Sequence, residues 1–342
     1  MKKNISLLLA LVLLIGSISF LLGSCSALEV YSEGDGALHV LCTTFAPFDF
    51  ARVVGGDRVT VSLLQDSGAD LHNYTPTAAT LSALSDADVF IFIGGSSDHA
   101  WIDKTLDAAG NDSLTLLCLS DHVTPIVAEM ENDWSEHAED GNDIHGEHSH
   151  GGHDHDHDGH THTSDEHIWT SVRHAQIMVE EIKELFIKKD PEGKETYEKN
   201  AAEYVSALKE LDRQFAELAE KLDDKPLLFA DRFPFVYLLH DYHIPYMAAF
   251  SGCSTEVNSG FETQIHLINT VKEQRLDFIV TIEGGDKHLA EAIASETSCR
   301  IITLDSLQSV SRNDIINGKT YINTMKKNLN ALREVVYGSD QS

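Results

Sequence analysis

Two places in the chain set metal-binding side chains where neighbouring structure can hold them. The first is Ser67-Gly68-Ala69-Asp70-Leu71-His72-Asn73-Tyr74-Thr75-Pro76, directly after a strand-like run and directly before a helix-forming one. A histidine in a loop is ordinarily a polar surface residue. His72 instead lies at a strand's carboxyl end, between a glycine turn and a capped helix, a rigid place from which to present an imidazole. The second is Asp305, which follows the apolar run Ile301–Leu304 without a spacer and so reads as a carboxylate at the mouth of an α/β cleft. Between them the stretch from Glu129 to Glu166 carries acids, glycines and nine histidines from His137 to His162, among them His145, His148, His150, His153, His155, His157, His160 and His162. Imidazoles scattered on an acidic loop that cannot build a core would bind zinc weakly and exchange it quickly, gathering or sensing metal near the cleft. The plainer reading is a tolerated low-complexity insertion. Within it, His155-Asp156-His157-Asp158-Gly159-His160 comes near the His-x-His-x-Asp-His pattern of metallohydrolases, but the aspartate stands one place early and no strands flank it. Catalysis is not expected.

The elements that must position these residues alternate along the chain. Leu38–Thr43, Val59–Leu64, Val89–Ile93 and Leu114–Cys118 are short, β-rich apolar runs separated by segments of helical period, the pattern of a parallel sheet covered by helices. Pro76–Leu84 reads as a helix with Thr75 as its N-cap and Pro76 at its first position. Asp190-Pro191-Glu192 opens a long helix whose apolar residues Tyr197, Ala201, Tyr204, Leu208, Leu211, Phe215, Leu218 and Leu222 recur every three or four places. Flanked by αβ segments, it reads as a linker lying across two lobes, about 46 Å long from Glu192 to Leu222. The αβ alternation then resumes with strands at Leu227–Ala230, Tyr246–Ala249, Phe278–Ile282 and Ile301–Leu304, helices near 262–274 and 287–296, and a closing helix from about Tyr321 to Tyr337. The predicted fold is α/β. Two lobes, each a four-stranded, mainly parallel sheet covered by helices, are joined by one rigid helix, with the ligand cleft at their carboxyl strand ends. The expected boundaries are a leader at 1–24, a tether at 25–37, a first lobe at 38–190 including the loop 129–166, the linker helix at 191–223 and a second lobe at 224–342.

The segment from Ser67 to Pro76, followed by Leu84-Ser85-Asp86-Ala87-Asp88, resembles the zinc- and manganese-binding solute-binding lipoproteins of bacterial ABC importers (ZnuA- and TroA-like, cluster A-I). Their pattern is Gly-Ala-Asp-x-His-x-Tyr-x-Pro followed by Leu-x-x-Ala-Asp. Asp165-Glu166-His167-Ile168-Trp169-Thr170 is similar to the family's Asp-Pro-His-x-Trp-Leu, with Glu166 and Thr170 in place of proline and leucine. Ile302-Thr303-Leu304-Asp305-Ser306-Leu307 resembles the strand end that supplies a carboxylate. The resemblance runs from Leu38 to Tyr337 and implies His72, His167 and Asp305 as metal ligands. It fails at the third family ligand, a His or Glu five residues ahead of an aromatic. With Tyr237 as that aromatic the position falls on Arg232, and a guanidinium binds no metal. Glu256 and Glu283 are the carboxylates that could replace it, each otherwise a partner of Arg232 or a helix cap. Two imidazoles and at least one carboxylate suit Zn²⁺ first, and a more oxygen-rich set Mn²⁺. His240 and His243 flank Asp241 at an expected exposed helix end and are not assigned.

The 342 residues carry 25 Lys and Arg against 55 Asp and Glu, a net charge of −30. Such a chain repels nucleic acid and anionic lipid, and its 42% hydrophobic content excludes general disorder. Met1-Lys2-Lys3 precedes an apolar run ending in Leu22-Gly23-Ser24-Cys25, a secretory leader whose terminus looks like the lipobox of bacterial lipoproteins, with Cys25 the lipidated residue; an uncleaved anchor is the other reading. Cys42, Cys118, Cys253 and Cys299 show no CxxC spacing. They are either buried free thiols or, for an exported chain, include one bridge, for which Cys253 with Cys299 is the preferred pair. The resulting expectation is a monomeric, lipid-anchored metal receptor on the extracytoplasmic face of a bacterial membrane, with an importer permease and its ATPase as partners. A metal-dependent hydrolase and a surface adhesin are the rival readings.

Overall fold

A computed structural model describes residues 31–64, 74–126, 164–222, 225–250 and 261–338. In the first lobe β2 (Leu38–Cys42), β3 (Val59–Leu63), β4 (Val89–Phe92) and β5 (Thr115–Cys118) are parallel, in the order β3-β2-β4-β5. The central strands are almost wholly buried because helices cover both faces, so they read as unbroken apolar runs. The sheet has five strands rather than the expected four. Its extra edge strand, β1 (Tyr31–Glu33), pairs antiparallel with β3 inside the segment expected to be a plain tether. Three residues are too few for an alternating pattern to show. Helix α1 (Phe45–Gly55) follows β2, and α2 (Ala78–Asp86) precedes β4. The N-cap of α2 is Thr77, not Thr75: Thr77 Oγ1 accepts from Thr80 N, and Thr80 Oγ1 accepts from Thr77 N, closing a reciprocal capping box. The short α3 (Ser96–His99) and α4 (Ile102–Ala109) lead on to β5.

The second lobe repeats the order, with β6 (Leu227–Phe229), β7 (Tyr246–Ala248), β8 (Phe278–Ile282) and β9 (Arg300–Leu304) arranged β7-β6-β8-β9, all parallel. Each lobe thus reverses strand order between its first and third parallel strands, and open α/β sheets take ligands outside the carboxyl ends at that reversal. The covering helices are α7 (Val236–Asp241), α8 (Phe261–Gln274), α9 (His288–Thr297) and α10 (Arg312–Ile316), numbered after the two helices of the junction.

Those two helices are α5 (Val172–Lys189) and α6 (Lys194–Ala219), and α11 (Tyr321–Tyr337) closes the described chain. Helix α6 has 26 residues, about 39 Å. It begins later than expected, because Pro191–Gly193 form a 3-10 turn and Asp190 caps nothing with its side chain. The Asp190 carboxylate instead accepts from Arg58 Nε and Nη2 at 2.6 and 2.9 Å and from Tyr197 OH at 2.7 Å, fastening the junction to the start of β3. The apolar face read from the sequence is buried from Tyr197 to Leu218. It joins residues of both lobes in one apolar core, with β2, β3 and α5 on one side and β6, α7, β8 and α11 on the other. Among the described residues no helix is long and apolar enough to cross a membrane.

Candidate metal centre

His167 ends the short stretch that enters the 3-10 turn Ile168–Thr170 and then α5. Its backbone N and its Nδ1 both meet Asp165 Oδ1, at 2.8 and 2.9 Å, and its ring lies edge-on to Trp169 with centroids 5.3 Å apart. The residue is 2% exposed. An ionised carboxylate can only accept, so the Asp165 contact places the imidazole proton on Nδ1 and leaves the lone pair on Nε2. A carboxylate behind the imidazole fixes the ring and raises its basicity, the arrangement common behind metal-binding histidines.

Asp305 stands at the first position after β9. Its main chain is held both ways by Asn328, which accepts from Asp305 N and donates Nδ2–H to Asp305 O, each at 2.8 Å. Oδ1 accepts from Leu307 N at 2.8 Å, and Oδ2 accepts from Lys319 Nζ at 2.6 Å. Leu307, at φ +61°, makes the tight turn that follows. The parallel register pairs Ile282 with Leu304, and Glu283 N donates to Leu304 O, so the exposed Glu283 follows β8 beside Asp305.

The His167 segment is tied to the second lobe at several points. Trp169 Nε1 donates to Ser306 O at 2.8 Å, one residue beyond Asp305, and Tyr321 OH donates to Trp169 O at 2.8 Å. Tyr237 OH donates to Asp165 O at 2.8 Å and accepts from Ile126 N at 3.1 Å. His167 and the turn after Asp305 therefore share one seam between the lobes. Arg232 is half-buried, and its backbone N donates to Asp231 Oδ1. Asp231 is buried, accepts from Ile282 N at 3.2 Å, and has its carboxyl pushed above the ordinary value by desolvation. It pins β6 to β8 at the point where strand order reverses.

His72, Glu256, Cys25 and the eight loop histidines from His145 to His162 lie outside the described residues. Among the described residues no three His, Cys, Asp or Glu side chains converge closely enough to hold a metal. His240 and His243 are exposed at the end of α7, as expected. Cys299 is a buried free thiol whose Sγ accepts from Thr297 Oγ1 at 3.0 Å, and Cys253 lies outside the described residues. Cys42 and Cys118 are free as well. Sequence reasoning missed Lys319 on Asp305, which has no local signal. It also gave Asp165 and Glu166 no role, although both stand within two residues of His167.

Two lobes of one topology, with an imidazole segment and a carboxylate turn on the seam between them, define a two-lobed α/β binding protein. The chain belongs to the ZnuA family: that family's model, described as zinc-uptake complex component A periplasmic, matches residues 40–335. It is 29% identical over 322 residues to the zinc-binding lipoprotein AdcA of Streptococcus pneumoniae, covering 93% of this chain and 60% of that one, so it spans about 60% of that relative's length. It is 27% identical over 303 residues to the high-affinity zinc uptake system protein ZnuA of Bacillus subtilis, covering 89% of this chain and 88% of that one. Of solved structures, the metal-dependent lipoprotein YcdH of Bacillus subtilis superposes with a TM-score of 0.70 at 24% identity, covering 88% of this chain and 99% of that one. The Zn(II)-bound ZnuA-like domain of Streptococcus pneumoniae AdcA gives 0.69 at 26%, with the same coverage.

Proposed function

We propose that the chain is the extracytoplasmic receptor of a metal ABC importer, which captures a divalent transition metal, zinc before manganese, and passes it to a membrane permease driven by its ATPase. The observation that carries this reading is His167, buried on the seam with its Nδ1 on Asp165 and its segment bonded to the turn after Asp305. An oriented imidazole whose segment is bonded to the turn after a carboxylate of the other lobe suits a borderline-soft dication, with His72 as the second imidazole. Glu256 and Glu283 are the further oxygen ligands proposed in place of the family residue that Arg232 displaces. The register that puts Glu283 beside Asp305 supports the latter. The chain is anchored through a lipid on Cys25 and works as a monomer without catalysing a reaction. No observation favours the hydrolase or the adhesin.

The test is competition for zinc against a chromophoric chelator. The intact chain should hold one zinc tightly, and His167→Ala and Asp305→Ala should each weaken that site at least about 100-fold, more than loss of an outer partner costs. An unchanged affinity in His167→Ala overturns the assignment.

A further inference from the structure

Glu166 stands immediately before His167, and its carboxylate reaches into the first lobe. It is 7% exposed, and its Oε1 accepts from Ser96 Oγ at 2.6 Å and from Ser97 N at 2.7 Å, at the start of α3. The backbone that receives it is shaped for the purpose. A Cβ on Gly95 would lie 2.1 Å from Glu166 Cγ and 2.3 Å from Cδ, so only glycine admits the side chain there. Gly94 before it turns at φ +96°. That turn is pinned in its own right by Asp98, buried, whose Oδ2 accepts from Ile93 N and Gly94 N at 2.9 Å each.

A buried carboxylate is costly unless its hydrogen bonds replace water, and a loop that needed only to close would do so with an apolar side chain. Here the carboxylate ties the His167 segment to the first lobe. The neighbouring Asp165 carbonyl and the Trp169 indole tie the same segment to the second lobe. The imidazole is thus suspended between two anchorages, of which Glu166 is the one on the side of β4.

We propose that Glu166 is a positioning residue for metal capture, latching onto Ser96 and Ser97 so that the His167 imidazole is held ready for the ion and released slowly. This rests on the reading of His167 as a ligand. The test compares Glu166→Ala, Glu166→Gln, His167→Ala and the double variant Glu166→Ala/His167→Ala in the intact chain. It measures zinc affinity by chelator competition, zinc release by stopped flow, and the visible absorption of Co²⁺ at the site. Glu166→Ala should weaken zinc binding about 10- to 100-fold, as loss of an outer partner does, speed release, and change the Co²⁺ bands. Glu166→Gln keeps an acceptor oxygen for both serine donors and should restore affinity and spectrum, whereas a role of the charge itself would leave both impaired. In the His167→Ala background Glu166→Ala should cost nothing further.

Should Glu166→Ala leave affinity and release unchanged while His167→Ala abolishes tight binding, the latch is wrong and the metal site stands. An unchanged His167→Ala would sink the site and the latch with it. Loss in Glu166→Gln as deep as in His167→Ala, with altered Co²⁺ bands, would make Glu166 a ligand and overturn the positioning role. If Glu166→Ala does not fold, as judged by its metal-free melting curve, Ser96→Ala removes one of the two bonds and should weaken binding several-fold. An unaltered affinity there overturns the latch.

Discussion

Lys319 Nζ rests 2.6 Å from Asp305 Oδ2, with both side chains largely shielded from water. An ammonium in that position neutralises the carboxylate the metal would use and must be displaced or tolerated by a dication. Lys319→Met keeps the length and apolar stem and removes the charge, so it should tighten zinc binding several-fold, whereas Asp305→Asn should weaken it. Isothermal calorimetry on both variants reads the two directions. Asp98 offers a pH signature at the same scale. Burial holds its carboxyl up at about 6 from the ordinary 3.8, against the pull of two backbone N–H donors and helped by the nearby Glu166 charge. The folded chain therefore binds this proton more tightly than the unfolded one. Its contribution to stability is full below about pH 4 and is lost as pH rises through about 6. Asp98→Asn cannot titrate. The wild-type advantage over the variant should shrink by on the order of 3 kcal/mol between pH 4 and pH 7, measured by urea denaturation of the metal-free proteins.

Elements differ in how plainly the chain announces them. The central parallel strands were legible because strands buried on both faces are unbroken apolar runs, such as Phe278–Ile282, and the outer ones because they are short β-branched runs, such as Val59–Leu63. The face of α6 was legible because its spacing of three and four is the helix period itself. Strand β1 was not, being three residues long and paired with β3 across some thirty positions. The cap of α2 was misplaced because Pro76 draws attention to Thr75, while the capping box here uses Thr80 where Glu or Gln is usual. Around the centre, His167 and Asp305 could be picked out from local motifs. The bond from Trp169 to Ser306 and that from Lys319 to Asp305 are made by folding alone, and no local pattern marks them. The element that carries most of the packing is α6. Leu208 on its buried face touches no proposed ligand, yet Leu208→Ala should cost about 2–5 kcal/mol. Chemical denaturation should show that loss as one shifted transition, because α6 packs into both lobes at once.

At the scale of the whole molecule, the acidic, histidine-rich stretch and the seam are separable. Deleting residues 137–162 removes all nine loop histidines and none of the proposed ligands. A zinc titration of the shortened chain should keep one tight site and lose the weak ones. Disappearance of the tight site would move the assignment from the seam to the loop.

The single core shared by the two lobes also bears on traffic. Swinging the lobes apart as rigid halves would drag Trp169, Tyr237 and Tyr321, each at most 1% exposed, into water, at roughly 1.5–3 kcal/mol for each large apolar side chain uncovered. On the proposed function, exchange of cargo should run through small displacements of the seam segments rather than through a domain hinge. Small-angle scattering should give loaded and empty chains the same radius of gyration. If the chain serves a transporter as proposed, that transporter would have no change of outline by which to tell a full receptor from an empty one, and would have to sense the texture of the seam itself.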